Sequence, residues 1–257
     1  MPKFSQVFLA DRSVCEKICA VLDGERFDNL VEIGPGGGAL TSILFPKYAE
    51  KMMAVEIDRD LVPELARKYS GLKIINNDFM RVGTEELPQG NTAFIGNLPY
   101  DCSTAILDKA LGFPGLSCAV FMFQKEVALR IMSKPGMPDY GVLAISSYFR
   151  SDPQLVCVVK AGSFRPVPAV DSAVIRFHPK KAPENLDFIM SLAKKAFMHR
   201  RKTMINSLSL CGIDKDAVLS AFSKLNLPEK TRAQDLPPET FQKLAEILFV
   251  SSKSEEM

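Results

Sequence analysis

The residues best suited to chemistry are Asn97-Leu98-Pro99-Tyr100, which directly follow the apolar run Thr92-Ala93-Phe94-Ile95-Gly96. That run predicts a buried strand. An amide and an aromatic ring therefore stand just past a strand end, where ligands bind in open α/β sheets. The side-chain oxygen of Asn97 can accept a hydrogen bond from an exocyclic amine. Pro99 stiffens the turn, so nearby main-chain carbonyls keep a fixed direction. Tyr100 offers a flat face for a base. Together they suit a planar, amine-bearing substrate. Taken alone, the tetrapeptide is better read as a polar turn with a core tyrosine. The rest of the chain shifts that balance.

A second constellation lies upstream. The predicted strand Asn29–Ile33 runs into Gly34-Pro35-Gly36-Gly37-Gly38 and then into a predicted helix over Ala39–Leu44. Strand, glycine turn and helix open a nucleotide-binding βα unit, because glycine lets backbone approach a ligand and a helix amino terminus favours negative charge. The next strand, Met52–Ile57, carries Glu56 about twenty residues on, where an acid takes two ribose hydroxyls. The spacing does not by itself separate a dinucleotide from S-adenosylmethionine. Two details lean towards the latter. The loop is G-x-G-x-G, and Glu32 immediately before it is a poor neighbour for a pyrophosphate. After a third strand, Leu72–Asn76, Asp78 is placed to accept from an adenine amino group with Phe79 against the ring; a plain turn aspartate is the simpler alternative.

The remaining elements must position these groups. Ser13 and Glu16 fit a capping box for a first helix. Helices are predicted over Arg59–Tyr69, Ala105–Leu111 and Gln124–Ile131. Cys118–Phe123 and Asp171–Phe177 predict strands, and 143–149 and 155–160 are two late elements of unassigned type. A stiff segment, Gly162–Pro168, presents Phe164. The alternation predicts a mostly parallel sheet with helices on both faces. Beyond Pro179-Lys180-Lys181-Ala182-Pro183 no strand is predicted. Helices over Leu186–His199, Met204–Leu210, Asp216–Lys224 and Pro238–Phe249 make a small all-helical domain. Its Lys194, Lys195, Arg200, Arg201 and Lys202 form a basic cluster, which is either a solvated helix face or a contact to a phosphate backbone.

Composition narrows the classes. The 257 residues are 47% hydrophobic and 24% charged, with net charge +2. This is an ordinary globular balance, so nucleic-acid binding must come from local patches. Six cysteines without a C-x-x-C pair and only two histidines argue against a metal site. No secretory h-region and no run of about 18 apolar residues is present, which predicts a reducing, cytoplasmic setting without a membrane.

Read jointly, these segments resemble the KsgA-type ribosomal RNA small subunit adenine N6,N6-dimethyltransferases over nearly the whole chain. Phe4-Ser5-Gln6-Val7-Phe8-Leu9 is similar to the family's F-G-Q-N-F-L, and Val31-Glu32-Ile33-Gly34-Pro35-Gly36 to its methyl-donor loop. Asn97-Leu98-Pro99-Tyr100 with Ser103-Thr104 is similar to its substrate motif. Phe123–Val127, Tyr140–Leu143, Val170–Val174, and Phe197 with Arg200-Arg201-Lys202-Thr203 also fit. Ser5, Val7, Asp101-Cys102 and Ala169 depart from the family pattern, Val7 leaving only backbone groups where a side chain is usual.

The resemblance implies a Rossmann-like class I methyltransferase domain over 1–180 and a helical RNA-binding domain over 181–257. It implies S-adenosylmethionine as cofactor, contacted by Gln6, Val7, Leu9, Glu32, Gly34, Gly36, Glu56, Ile57, Asp78, Phe79 and Asn97. It implies catalysis by Asn97, Leu98, Pro99 and Tyr100, with Phe164 clamping a flipped base. The implied activity is dimethylation of N6 on two adjacent adenosines in a hairpin loop near the 3′ end of small-subunit (16S) rRNA. The implied setting is small-subunit biogenesis, on a late 30S assembly intermediate and as a monomer. Two relatives of the family are the alternatives. One is a 23S rRNA methyltransferase of the antibiotic-resistance type, against which Leu98 and the Arg200–Thr203 segment argue. The other is a non-catalytic nucleic-acid-binding protein, against which the intact Gly34 loop, Glu56, Asp78 and Asn97 argue. An NAD-linked oxidoreductase is disfavoured because no residue resembles a hydride-transfer acid or base.

Overall fold

In the computed structural model, which describes residues 7–254, most elements form where the apolar patterning predicts them. In chain order they are β1 (Phe8–Leu9), α1 (Arg12–Cys19), β2 (Asn29–Ile33), α2 (Thr41–Tyr48), β3 (Met52–Val55), α3 (Val62–Lys68), β4 (Lys73–Ile75), β5 (Thr92–Asn97), α4 (Ser103–Leu111) and β6 (Leu116–Gln124). There follow α5 (Lys125–Met132), α6 (Val142–Arg150), β7 (Ser151–Val159), β8 (Phe164–Arg165), β9 (Ser172–Pro179), α7 (Leu186–Met198), α8 (Met204–Leu210), α9 (Lys215–Lys224) and α10 (Pro238–Ser254). The late element over 143–149 is thus a helix. The last helix runs five residues past Phe249 into the polar tail.

Seven strands form one sheet in the order β4-β3-β2-β5-β6-β9-β7. The first five run parallel, and β9 lies antiparallel between β6 and β7. Leu30, Val31, Phe94, Ile95, Ala119 and Val120 are fully buried. With helices on both sides, the central strands have no wet face, so they are continuous apolar runs. Cys15, Ile18, Cys19 and Leu22 close the core on one side of the sheet. On the other, the rings of Phe79, Phe94 and Phe113 meet edge to face, 5.9 and 5.3 Å apart.

The strand order decides where a ligand fits. From β2 the chain moves outward through β3 and β4, then returns to β5 on the other side of β2. The connections after β2 and β5 diverge and leave a crevice between them. The two strands approach closely there: a Cβ at Gly96 would stand 2.5 Å from the Ile33 carbonyl oxygen, so only glycine fits.

The chain divides into two compact units, Met1–Ala128 with Ser151–Pro179, and Leu129–Arg150 with Lys180–Met257. The linear division expected at 180 therefore misses one excursion. Segment 129–150 joins the helices because Tyr140, Ala144, Ile145 and Phe149 bury themselves in the helical core beside Ile189, Ala193 and Phe241. Tyr140 seals this by donating its hydroxyl to the Leu236 carbonyl at 2.9 Å.

One local expectation is corrected. Asp11, not Ser13, caps α1: its Oδ1 accepts from Ser13 N–H at 3.0 Å and Val14 N–H at 3.3 Å. Glu16 turns to Arg12 Nε, 2.9 Å away, instead of reaching back to the cap.

Candidate active site

The glycine loop after β2 is tied to the buried carboxylate of Glu56. Gly34 and Gly36 sit at φ of 67° and 55°, left-handed conformations that other residues rarely adopt. The Gly36 N–H donates to Glu56 Oε2 at 2.9 Å, and the Asp58 N–H to Glu56 Oε1 at 2.8 Å. Glu56 is buried at the end of β3, and burial pushes its pKa up. Glu32, on β2, is 1% exposed and accepts from Thr41 Oγ1 at 2.7 Å. Burial pushes its carboxyl up to about 7, and the nearby Glu56 charge adds to this.

Asn97 closes β5 opposite this loop. Its Nδ2 donates to the Val7 carbonyl at 3.0 Å. That bond tethers the amino-terminal arm, whose β1 pairs with β8 through Phe8↔Arg165 and Leu9↔Phe164. The arm is pinned further where Ala10 and Asp11 N–H groups donate to the Ser163 carbonyl, at 2.8 and 3.2 Å. The Phe8 ring lies over Gly36, so close that a Cβ there would stand 3.0 Å from it. Arm, glycine loop and Asn97 enclose a cavity of about 320 Å³ whose wall includes Leu9, Glu32 and Gly34. Arg12 and Lys68 bring two cations to the same wall.

Other expected residues lie beyond that wall. Ile57, 46% exposed, follows Glu56. Asp78 follows β4, and the ends of β3 and β4 are laced by Asn76 Nδ2 donating to the Glu56 carbonyl at 2.8 Å. Asp78 is half-buried and its Oδ1 accepts from Met80 N–H at 2.9 Å. Leu98 is buried and Pro99 exposed. Tyr100 is half-buried and its hydroxyl is 3.1 Å from Ser172 Oγ on β9. Gln6 lies outside the described residues.

Three expectations are corrected. Phe79 does not offer its ring to a ligand: the ring is buried against Phe94, because the turn after β4 folds it onto the sheet. Phe164 is not presented by its loop: the β1–β8 pairing sets it opposite Leu9 and drives its ring fully into the core. Arg200 is not a free member of the basic cluster. Its Nη2 donates to the carbonyls of Pro138 and Tyr140, at 2.8 and 3.1 Å, holding the loop before α6. Lys194, Arg201 and Lys202 are exposed, and Lys195 is half-buried.

Sequence reasoning missed Arg12 and Lys68 on the cavity wall, Ser172 behind Tyr100, and Phe8 over the glycine loop. Arg12 and Lys68 belong to no motif; Phe8 and Ser172 lie inside family-like segments, but only the fold shows what each of them touches.

Comparison with known proteins shows the family of the chain. Residues 1–249 match the family model described as ribosomal RNA adenine dimethylase. The chain belongs to this family. Ribosomal RNA small subunit methyltransferase A of Clostridioides difficile is 37% identical, covering 96% of this chain and 91% of its own. Its namesake in Mycoplasmopsis pulmonis is 38% identical, covering 94% and 96%. Among solved structures, a dimethyladenosine transferase from Plasmodium falciparum aligns with TM-score 0.80 at 26% identity, over 92% of this chain and 95% of that one. The 23S rRNA methyltransferase ErmE aligns with TM-score 0.70 at 26% identity, over 94% and 99%.

This dimethylase is therefore an rRNA adenine methyltransferase that uses a methyl donor. The residues present fit such a cofactor. Left-handed glycines bare the main chain, the buried carboxylate of Glu32 lines the cavity, and the Asn97 amide stands on the same wall. Among the described residues no helix is long and apolar enough to cross a membrane.

Proposed function

We propose that this dimethylase takes methyl groups from S-adenosylmethionine and delivers them to N6 of two adjacent adenosines in a hairpin loop near the 3′ end of small-subunit (16S) rRNA. It acts as a cytoplasmic monomer on a late 30S assembly intermediate. The observation that carries the reading is the bond from Asn97 Nδ2 to Val7. With its nitrogen engaged, the amide meets a ligand through Oδ1, which is the atom an amine substrate requires.

S-adenosylmethionine supplies an electrophilic methyl group, so no covalent nucleophile is needed. The difficulty is N6, whose lone pair is delocalised into the purine. Asn97 Oδ1 and a main-chain carbonyl near Leu98 or Pro99 accept from the amine. These contacts draw N6 towards tetrahedral geometry and aim its lone pair at the methyl group. They also stabilise the positive charge that N6 acquires, so catalysis is orientation plus preorganised dipoles. Tyr100 stacks on the flipped base. With Phe164 in the core, the stacking falls to Tyr100.

On the donor side, Glu32 faces the amino-acid ammonium, Glu56 the ribose hydroxyls, and Asp78 the adenine amine beside Ile57. Gly34, Gly36, Leu9 and Val7 bring main chain close, and Gln6, next to Val7 in sequence, is a further donor contact. The helical unit, with Lys194, Lys195, Arg201 and Lys202, holds the RNA, and Arg200 adds charge while serving its own loop.

The test is labelled methyl transfer to small subunits from a strain lacking the modification, with mature small subunits and large subunits as controls. Dimethyladenosine in unmodified small subunits alone is the expected result. Label in large subunits instead overturns the substrate assignment, and no label with bound donor overturns the catalytic one.

A further inference from the structure

Lys109 stands in the last turn of α4, the helix that starts three residues after Tyr100. Its Nζ donates to the Phe79 carbonyl and to the Val82 carbonyl, both at 2.6 Å. The same ammonium stands 5.0 Å from the centre of the Phe79 ring. A half-buried ammonium is costly unless its donors are used; this one spends two of its three on main chain.

Both carbonyls belong to the turn that follows Asp78. That turn is closed by the Asp78 carbonyl, which accepts from Arg81 N–H at 2.8 Å and Val82 N–H at 3.2 Å. Inside it, Asp78 Oδ1 accepts from Met80 N–H. The Phe79 ring fixes the turn to β5 from below through Phe94. Lys109 fixes it from the side, and does so from the helix that carries the substrate motif at its other end. Burial lowers the proton affinity of Lys109, while the Asp78 charge opposes that most strongly among its acidic neighbours. The ammonium therefore sits within the field of the one acid that the turn presents.

We propose that Lys109 is a positioning residue for the purine of the methyl donor: it holds the Asp78–Val82 turn so that the Asp78 carboxylate meets the adenine amine, and it locks that turn to the helix of the substrate motif. The proposal rests on the assignment of Asp78 to the donor's adenine. Lys109 itself touches no ligand. It gives the site its preference for adenine over a purine that lacks the 6-amino group, because a carboxylate held rigidly opposite an amine rejects a carbonyl there, whereas a loose one turns away.

The experiment compares binding of S-adenosylhomocysteine with that of S-inosylhomocysteine, its deaminated counterpart, by calorimetry on the full-length wild type, Lys109→Met, Lys109→Arg and Asp78→Ala. Lys109→Met keeps the aliphatic stem and removes both donors. It is expected to weaken S-adenosylhomocysteine at least tenfold and the inosine compound no more than twofold, so that discrimination collapses. In turnover the loss appears in the donor KM more than in kcat. Lys109→Arg, which can still serve two carbonyls, is expected to recover the discrimination to within threefold. If Lys109→Met weakens both compounds equally, the residue is only a structural prop and the proposal fails. It also fails if Lys109→Met retains full discrimination while Asp78→Ala loses it. If Asp78→Ala itself leaves the discrimination intact, the assignment of Asp78 to adenine is what has failed. A purine ratio is read on folded protein only, so partial loss of folding does not imitate the expected result.

Discussion

The side-chain nitrogen of Asn97 and the main-chain oxygen of Val7 are 3.0 Å apart, across ninety positions of sequence. The bond engages the amide nitrogen, so in the proposed mechanism it is Oδ1 that meets the substrate amine. Asn97→Ala removes the accepting oxygen and is expected to lower kcat on the order of 10²–10³-fold, the usual effect of deleting one preorganised polar contact to a transition state. Asn97→Asp is expected to lose comparably although it keeps an acceptor, because a carboxylate oxygen then faces the Val7 carbonyl with no proton between them. Single-turnover methylation of unmodified small subunits measures both. An active Asn97→Asp enzyme would show that the Val7 contact does not orient the group.

Glu32 makes stability depend on pH. Its carboxyl titrates near 7 in the folded protein, above its ordinary value of 4.5. The folded state therefore binds more protons than the unfolded state between those values, and stability falls as pH rises through that window. Glu32→Gln keeps an acceptor for Thr41 and is expected to abolish this slope, gaining up to about 3 kcal/mol at pH 8 and little at pH 4. Urea unfolding at the two pH values checks it.

With Glu32 facing the donor's ammonium, as proposed, the same carboxyl would link protons to donor binding. An ammonium group beside Glu32 favours the ionised form, so donor binding is expected to tighten from pH 5.5 to 7.5 and to release protons near pH 6.5. Calorimetry in buffers of different ionisation enthalpy reads the release directly. Its persistence in Glu32→Gln would move the linkage to another group, Glu56 being the nearest acid raised by burial.

Tyr100 is held at its hydroxyl by Ser172, which lies on the strand next to β6. Tyr100→Ala is expected to weaken productive RNA binding by roughly 1–3 kcal/mol, the worth of one base–aromatic stack. Tyr100→Phe keeps the ring and is expected to lose much less. Equal losses in the two variants, measured as KM for small subunits, would point to the hydroxyl bond and away from stacking.

The basic cluster separates into two kinds of residue. Replacing Lys194, Arg201 and Lys202 by Gln is expected to weaken RNA binding and to flatten its salt dependence by roughly 0.7–0.9 in log–log slope for each phosphate no longer neutralised. Arg200→Gln is expected to lower thermal stability as well, because it frees the carbonyls of Pro138 and Tyr140. Filter binding across a salt series and melting curves distinguish the two.

Much of this molecule is legible in its sequence, and the reason is local. Strands buried on both faces leave unbroken apolar runs, so β2 over Asn29–Ile33 and β5 from Thr92 are read directly. Gly34, Glu56 and Asn97 each follow such a run. The strand-to-loop boundary is what places them at one edge of a parallel sheet. The set of motifs in order also fixed the family, which the matches over nearly the whole chain bear out.

What the sequence could not decide are contacts between segments far apart in the chain. Phe164 and Phe79 have the composition of ligand-facing aromatics, yet each ring is buried. One is driven in by a two-residue strand pairing and the other by a turn folded onto Phe94. Arg200 sits among free cations in sequence but reaches across sixty positions to carbonyls that carry no motif. Segment 129–150 leaves the sheet to complete a helical core because Tyr140, Ile145 and Phe149 find their apolar partners there. Local pattern determines which elements form and which groups end a strand. Burial and unsatisfied main-chain groups determine which of those side chains remain available to a ligand, and both depend on the whole fold.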